Sequence, residues 1–180
     1  MAGPHGAQSK GTTGEPPRVI KITINGRPYE FRLGVDLMPY TTLRELLRER
    51  VGITSLKEMC QGDGACGSCT VLIDGRPALS CLTLAVDCDG KSIETVEGLA
   101  EKGHPLIKAF SNNYAYQCGY CTPGFIMSAK ALLDRNPKPD YEEIVQALSG
   151  NICRCGTYAA IISAVKEAAE AMSSGEVSRP

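Results

Sequence analysis

The sequence predicts an α+β protein: a small mixed sheet with one covering helix over residues 18–98, then an all-helical region over 99–173. Three observations predict it. Two segments of alternating apolar and polar residues, each folded about an Asx-Gly pair, fill the first part. The second part has helical apolar spacing, with prolines and capping residues where helices begin. Nine cysteines fall into two sets, one in each part.

The elements follow in order. "VIKITINGRPYEFRL" alternates on either side of Asn25-Gly26, a pair suited to the positive φ angles of a type I′ turn, so it predicts a hairpin. Leu43, Leu46 and Leu47 of "LRELLRER" recur at helical spacing behind Thr41 and Thr42, which offer an N-cap; its basic residues are expected on a solvated face. "CTVLIDGRPALSCLTLAV" predicts two strands around Asp74-Gly75, and "KSIETVEG" a last short strand. Beyond these, "PLIKAFSNN" and "PGFIMSAKALLDRN" predict helices opened by Pro105 and Pro123. "DYEEIVQALSGN" has an Asp140 cap, Glu143 at the capping-box position and Gly150 at its end, and "YAAIISAVKEAAEAMSS" is an alanine-rich fourth helix. Residues 174–180 are expected to fray.

Composition limits the function. Nineteen basic against twenty acidic residues leave a formal charge of −1, which lacks the footprint of a nucleic-acid binder. No run approaches the roughly 18 apolar residues of a membrane span. Residues 1–17 show neither an apolar leader core nor a twin-arginine pair, and they read as a disordered arm on a cytoplasmic protein. In that compartment, closely spaced thiols point to metal or redox chemistry rather than to disulfides.

The first set, Cys60, Cys66, Cys69 and Cys81, is spaced C-x5-C-x2-C-x11-C. Three thiols from one loop and a fourth from farther on suit a plant-type [2Fe–2S] cluster, and Gly62, Gly64 and Gly67 let backbone wrap it. Zinc is the alternative, although structural zinc sites usually pair two short knuckles. The second set, Cys118, Cys121, Cys153 and Cys155, is spaced C-x2-C-x31-C-x1-C, each pair lying at a helix approach. The expectation here is that the C-x-C pair holds one iron and the C-x2-C pair the other. Cys88 is left over and reads as a small residue on or near a strand; His5 and His104 are not needed as ligands, and the tyrosines around the second set read as packing or interface residues.

The segments "TSLKEMCQGDGACGSCTVLIDGRPALSCL", "YQCGYCTPGFIMSAKALL" and "GNICRCGTY" closely resemble the small iron–sulfur subunit of molybdenum hydroxylases, the family of xanthine dehydrogenase, aldehyde oxidoreductase and carbon monoxide dehydrogenase. The resemblance runs from about Ile20 to Ala169. It implies a plant-ferredoxin-like β-grasp domain followed by a four-helix [2Fe–2S]-binding domain. The four cysteines of each set would be ligands, the first cluster facing a flavin partner and the second lying beside the molybdopterin. Gln117 and Cys155 match positions that approach the pterin. Molybdenum-bearing molybdopterin would sit on a large partner subunit, with FAD on a medium subunit or another acceptor in its place, and this chain would relay electrons between them. A free-standing two-cluster ferredoxin and a zinc-stabilised binding module are the rival functions. One departure stands out: the family has four residues between its first two cysteines, whereas here there are five, expected to bulge outward while both sulfurs keep their places.

Chemical assay of the purified chain separates cluster from zinc. About four irons and four acid-labile sulfides per chain are expected, and stoichiometric zinc without sulfide would contradict the cluster reading.

Overall fold

The computed structural model describes residues 17–174. Apart from Pro17 and Ser174, the expected disordered arm and frayed tail lie outside the described residues. The architecture is α+β as the sequence predicts, with strands β1 (Val19–Ile24), β2 (Arg27–Arg32), β3 (Thr70–Ile73), β4 (Arg76–Leu79) and β5 (Ser92–Glu94). They form one mixed sheet in the order β2-β1-β5-β3-β4, with β1 and β5 parallel and the other pairs antiparallel. Both predicted hairpins are present. Asn25 and Gly26 take φ of 50° and 80°, and Asp74 and Gly75 take 48° and 76°, the left-handed angles that such tight turns require.

Helix α1 (Leu43–Glu45) starts at Thr42, whose side chain and that of Glu45 cap each other's backbone N–H. The predicted single α-helix then widens into π-type turns over Leu46–Val51, because Gly52, at φ 84°, folds the chain back so that the Leu47 carbonyl accepts both Gly52 N–H and Ile53 N–H. Leu43, Leu46 and Leu47 are fully buried against Ile20, Ile22, Ile24, Val71 and Ile93 of the sheet.

Three local readings need correction. The strand expected through "SCLTLAV" ends at Leu79, where the Leu79 carbonyl accepts both Leu82 N–H and the Thr83 hydroxyl in a tight turn. The carbonyls of Ser80 and Thr83 then accept Arg44 N–H and Leu43 N–H, donors that α1 cannot satisfy itself. Nor is the basic face of "LRELLRER" fully solvated: the Arg44 side chain is 15 % exposed and pairs with Glu58 at 2.5 Å. The tail of "KSIETVEG" also opens a short helix, α2 (Val96–Glu101), rather than extending β5.

Helices α3 (Pro105–Asn112), α4 (Thr122–Arg135), α5 (Tyr141–Leu148) and α6 (Tyr158–Ser173) follow, with Pro105 and the Asp140–Glu143 capping box where the sequence places them. They enclose a core of Phe110, Phe125, Leu132, Ile144, Ile161 and Val165. Strand β3 joins the two cores. Val71 faces the sheet core and Leu72 faces the helical one, since successive side chains point to opposite faces.

The two halves meet backbone to backbone at the first thiol loop. A Cβ on Gly124 in α4 would collide with the Gly67 carbonyl, and one on Gly67, at φ 69°, would come within 2.5 Å of Asn151 Nδ2 and the Gly150 carbonyl. Helix propensity alone favours Ala over Gly by about 1 kcal/mol. At Gly124 the backbone clash wins, and Gly124→Ala is expected to destabilise by roughly 1–3 kcal/mol. Gly150→Ala, with open space around its Cβ, is expected within about 0.5 kcal/mol of the parent, both read from denaturant unfolding.

Candidate metal centres

The first loop starts at Cys60 and carries its extra residue outward. Gln61, Asp63 and Ala65 are exposed, while Gln61, Gly62 and Gly64 take φ of 55°, 91° and 73°. Those left-handed residues turn successive N–H groups inward. Cys60 Sγ lies 3.3 Å from Cys66 Sγ. Burial raises the Cys60 thiol, but the hydrogen bond from Cys66 and the N–H groups of Ala65, Cys66 and Gly64 outweigh it and lower it to about 7.

Cys69 and Cys81 form the second pair of this set. The turn after β4 brings Cys81 back, and Ser80 secures it by donating from its N–H (3.3 Å) and its hydroxyl (2.7 Å) to the Cys69 carbonyl. Burial, then the hydrogen bond with Cys69, pushes the Cys81 thiol up to about 12.

The second set lies at the approaches to α4 and α6. Its pairing differs from the expectation. Cys155 Sγ meets Cys118 Sγ at 3.5 Å, and Cys121 is hydrogen-bonded to Cys153, so each short motif divides its sulfurs between two pairs. The separate environments of Cys153 and Cys155 go with this: Cys153 is buried, and Cys155 lies with exposed Cys118. Cys153 Sγ lies 3.2 Å from Thr157 Oγ1, and Cys153 N–H donates to Tyr158 OH at 2.8 Å. Against the upward push of burial, the Thr157 hydroxyl and N–H lead the contacts that lower the Cys153 thiol to about 7. Burial raises Cys121 to about 12. Gln117 is exposed beside Cys118.

A short polar seam connects the sets. Ile152 N–H donates to the Cys66 carbonyl at 3.0 Å. Asn151 donates from Nδ2 to the Gly67 carbonyl at 3.0 Å and accepts the Ser128 hydroxyl on Oδ1 at 2.7 Å. Nearby, Tyr120 OH accepts Glu58 N–H at 3.3 Å and Lys57 Nζ stands 6.0 Å above the Tyr120 ring. Asn151, Thr157 and the hydroxyls of Tyr120 and Tyr158 are the residues that spacing missed. Only their closeness to the cysteines in the sequence could have marked them.

The eight thiols of the two sets come together in twos. Among the described residues, no three His, Cys, Asp or Glu side chains group around a point that one ion could fill. Cys88 stays apart at the end of a 3₁₀ turn, Ala85–Cys88, beside β1, with its Sγ 3.7 Å from the Leu84 carbonyl. His104 is buried as the N-cap of α3, accepting Leu106 N–H on Nδ1. His5 lies outside the described residues.

Fold and thiol sets together define a ferredoxin-type iron–sulfur protein. Residues 27–110 match the 2Fe-2S iron-sulfur cluster binding domain, and residues 95–166 match the [2Fe-2S] binding domain. The chain belongs to the small iron–sulfur subunits of the molybdenum hydroxylases, and is thus a subunit of an oxidoreductase. It is 49% identical over 152 residues to the nicotinate dehydrogenase small FeS subunit of Eubacterium barkeri, covering 83% of this chain and 96% of that one. It is 47% identical to the nicotine 6-hydroxylase small subunit of Paenarthrobacter nicotinovorans, covering 83% and 88%. The crystal structure of quinoline 2-oxidoreductase from Pseudomonas putida 86 superposes with a TM-score of 0.81 at 46% identity, over 91% of this chain and 100% of that chain. Aldehyde oxidoreductase from Desulfovibrio desulfuricans superposes at 0.80 and 37% identity over 88% of this chain, which corresponds to 17% of that longer chain.

Cys88 supplies a control for the eight paired thiols. Burial first, then the Asp87 carboxylate, pushes its thiol up to about 11, so it stays protonated and inert to alkylation at pH 8 in the folded chain. Cys88→Ala is expected to keep full iron and sulfide content at a stability cost of about 1 kcal/mol; mass spectrometry and iron assay read the two outcomes.

Proposed function

We propose that the chain is the electron relay of a molybdenum hydroxylase. It takes electrons from a molybdopterin site on a large partner subunit and passes them singly to an FAD-bearing subunit or another acceptor. In this reading, residues 18–98 and 99–173 are two domains, each holding one [2Fe–2S] cluster. Cys60, Cys66, Cys69 and Cys81 are the ligands of the first, and Cys118, Cys121, Cys153 and Cys155 those of the second. Sulfurs arranged in twos suit a binuclear core, in which each iron takes two thiolates, better than one ion needing four.

Each cluster, when bound, supplies a one-electron acceptor whose potential follows burial and hydrogen bonding to sulfur. The chain's own groups set those conditions. Gly64, Ala65 and Cys66 aim N–H groups at the Cys60 sulfur, which favours added negative charge on that side. Gln117, Cys118 and Cys155 form the face offered to the pterin, and exposed Tyr114, Tyr116 and Ile152 beside them are covered by the large subunit. Relatives named for nicotinate, nicotine and quinoline favour an N-heteroaromatic substrate for that subunit's pocket. Among the described residues no helix is long and apolar enough to cross a membrane; a cytoplasmic placement is part of the proposal.

The observation that carries the reading is the hydrogen bond from Ile152 N–H to the Cys66 carbonyl. Ile152 adjoins Cys153, so this bond links a ligand of one set to a ligand of the other. Electronic coupling falls exponentially with separation, and less steeply through bonded and hydrogen-bonded atoms than across a gap.

In the assembled enzyme, replacing a first-set ligand (Cys60→Ala) is expected to leave the second cluster reducible by substrate while electron delivery to the acceptor falls to background. Paramagnetic resonance and acceptor assays check this. Undiminished delivery would contradict the proposed order of centres.

A further inference from the structure

Two side-chain oxygens in this protein are buried without a partner. Among the described residues, Ser68 Oγ and Thr122 Oγ1 are the buried side-chain nitrogen or oxygen atoms with no hydrogen-bond partner. Their surroundings make that unusual. The other buried polar side chains are satisfied: Thr70 donates to the Gly67 carbonyl, Ser80 to the Cys69 carbonyl, Ser128 to Asn151, and Thr95 to Glu97. Lys130 pairs with Asp134, and His104 accepts Leu106 N–H. A buried hydroxyl left unpaired costs on the order of 1–3 kcal/mol, and native proteins retain few of them.

Position supplies the second observation. Ser68 lies between Gly67 and Cys69 in the first thiol loop, and Thr122 directly follows Cys121 at the start of α4. One orphan hydroxyl therefore accompanies each thiol set. Neither can be a ligand in a centre that already has four cysteines. Each can still donate O–H to sulfur, an acceptor whose charge grows when an electron arrives.

We propose that Ser68 Oγ–H and Thr122 Oγ1–H are hydrogen-bond donors to sulfur of the first and second [2Fe–2S] centres, respectively, and that each raises the reduction potential of its own centre. The proposal rests on the two-cluster reading above. In the one-electron step the hydroxyl keeps its proton; one electron is added, no bond breaks, and the O–H···S contact strengthens as the sulfur gains charge. Loss of the donor disfavours the reduced form only at that centre.

The test is a dithionite titration of the assembled enzyme, following the paramagnetic resonance signal of each reduced centre. Ser68→Ala is expected to weaken reduction of one centre roughly tenfold, a downward shift of about 59 mV for a one-electron couple. Thr122→Val is expected to do the same to the other centre only. Ser68→Thr and Thr122→Ser keep the hydroxyl and are expected to restore most of each shift, which a purely structural role would not produce. Unchanged potentials with iron, sulfide and both signals intact would overturn the proposal and leave the two-cluster reading standing; loss of iron and sulfide from the parent enzyme's assay would instead remove that reading. Equal shifts of both centres in either variant would also overturn it. Should either variant fail to load iron, the parent enzyme mixed briefly with D₂O provides the second measurement. Pulsed resonance is expected to show a rapidly exchanged deuteron coupled to each reduced centre, and its absence would overturn the proposal.

Discussion

The seam where the Gly67 backbone lies against α4 and Asn151 is the constraint on which the rest depends. No side chain fits between them: Gly67 and Gly124 each lack the Cβ that would force the halves apart, and Asn151 occupies the space that remains. Backbone contact at that point brings the Cys66 carbonyl within 3.0 Å of Ile152 N–H. The two thiol sets, whose nearest members Cys81 and Cys118 are 37 positions apart in sequence, thereby become neighbours. Strand β3 supports the arrangement from below, since it is buried on both faces and belongs to both cores.

Around this seam the protein divides labour between backbone and side chain. Left-handed residues in the first loop turn amides toward sulfur, while the Ser80 contacts and the turn after β4 return Cys81 to Cys69. At the second set, side chains of α6's first turn take over, with Thr157 on the Cys153 sulfur and Tyr158 on its N–H. The same requirement, donors around sulfur, is met by different local structure in a loop and at a helix start. α1 contributes from outside: its unsatisfied N–H groups hold the Ser80 and Thr83 carbonyls, so the turn that carries Cys81 is fixed by the covering helix.

Much of this was legible in the sequence, for identifiable reasons. Asn25-Gly26 and Asp74-Gly75 declared both hairpins because few other pairs tolerate those angles. Asp140 with Glu143 declared a helix start, and the cysteine spacing separated two sets of four from Cys88. The expected pairing within the second set failed because sequence adjacency does not fix sulfur direction: Cys153 and Cys155 point to different partners. The strand through "SCLTLAV" failed because its apolar pattern is shared by a turn that docks on α1. Asn151 was invisible as a seam residue, since its partner Gly67 is 84 positions away.

The central claim is that two [2Fe–2S] centres sit side by side across this seam. Paramagnetic resonance of the fully reduced chain at low temperature tests it most directly. The account predicts two signals, each split or broadened when the other centre is also reduced, because neighbouring electron spins interact. Two reduced centres whose signals are wholly independent of each other, or a single signal at full iron loading, would contradict it.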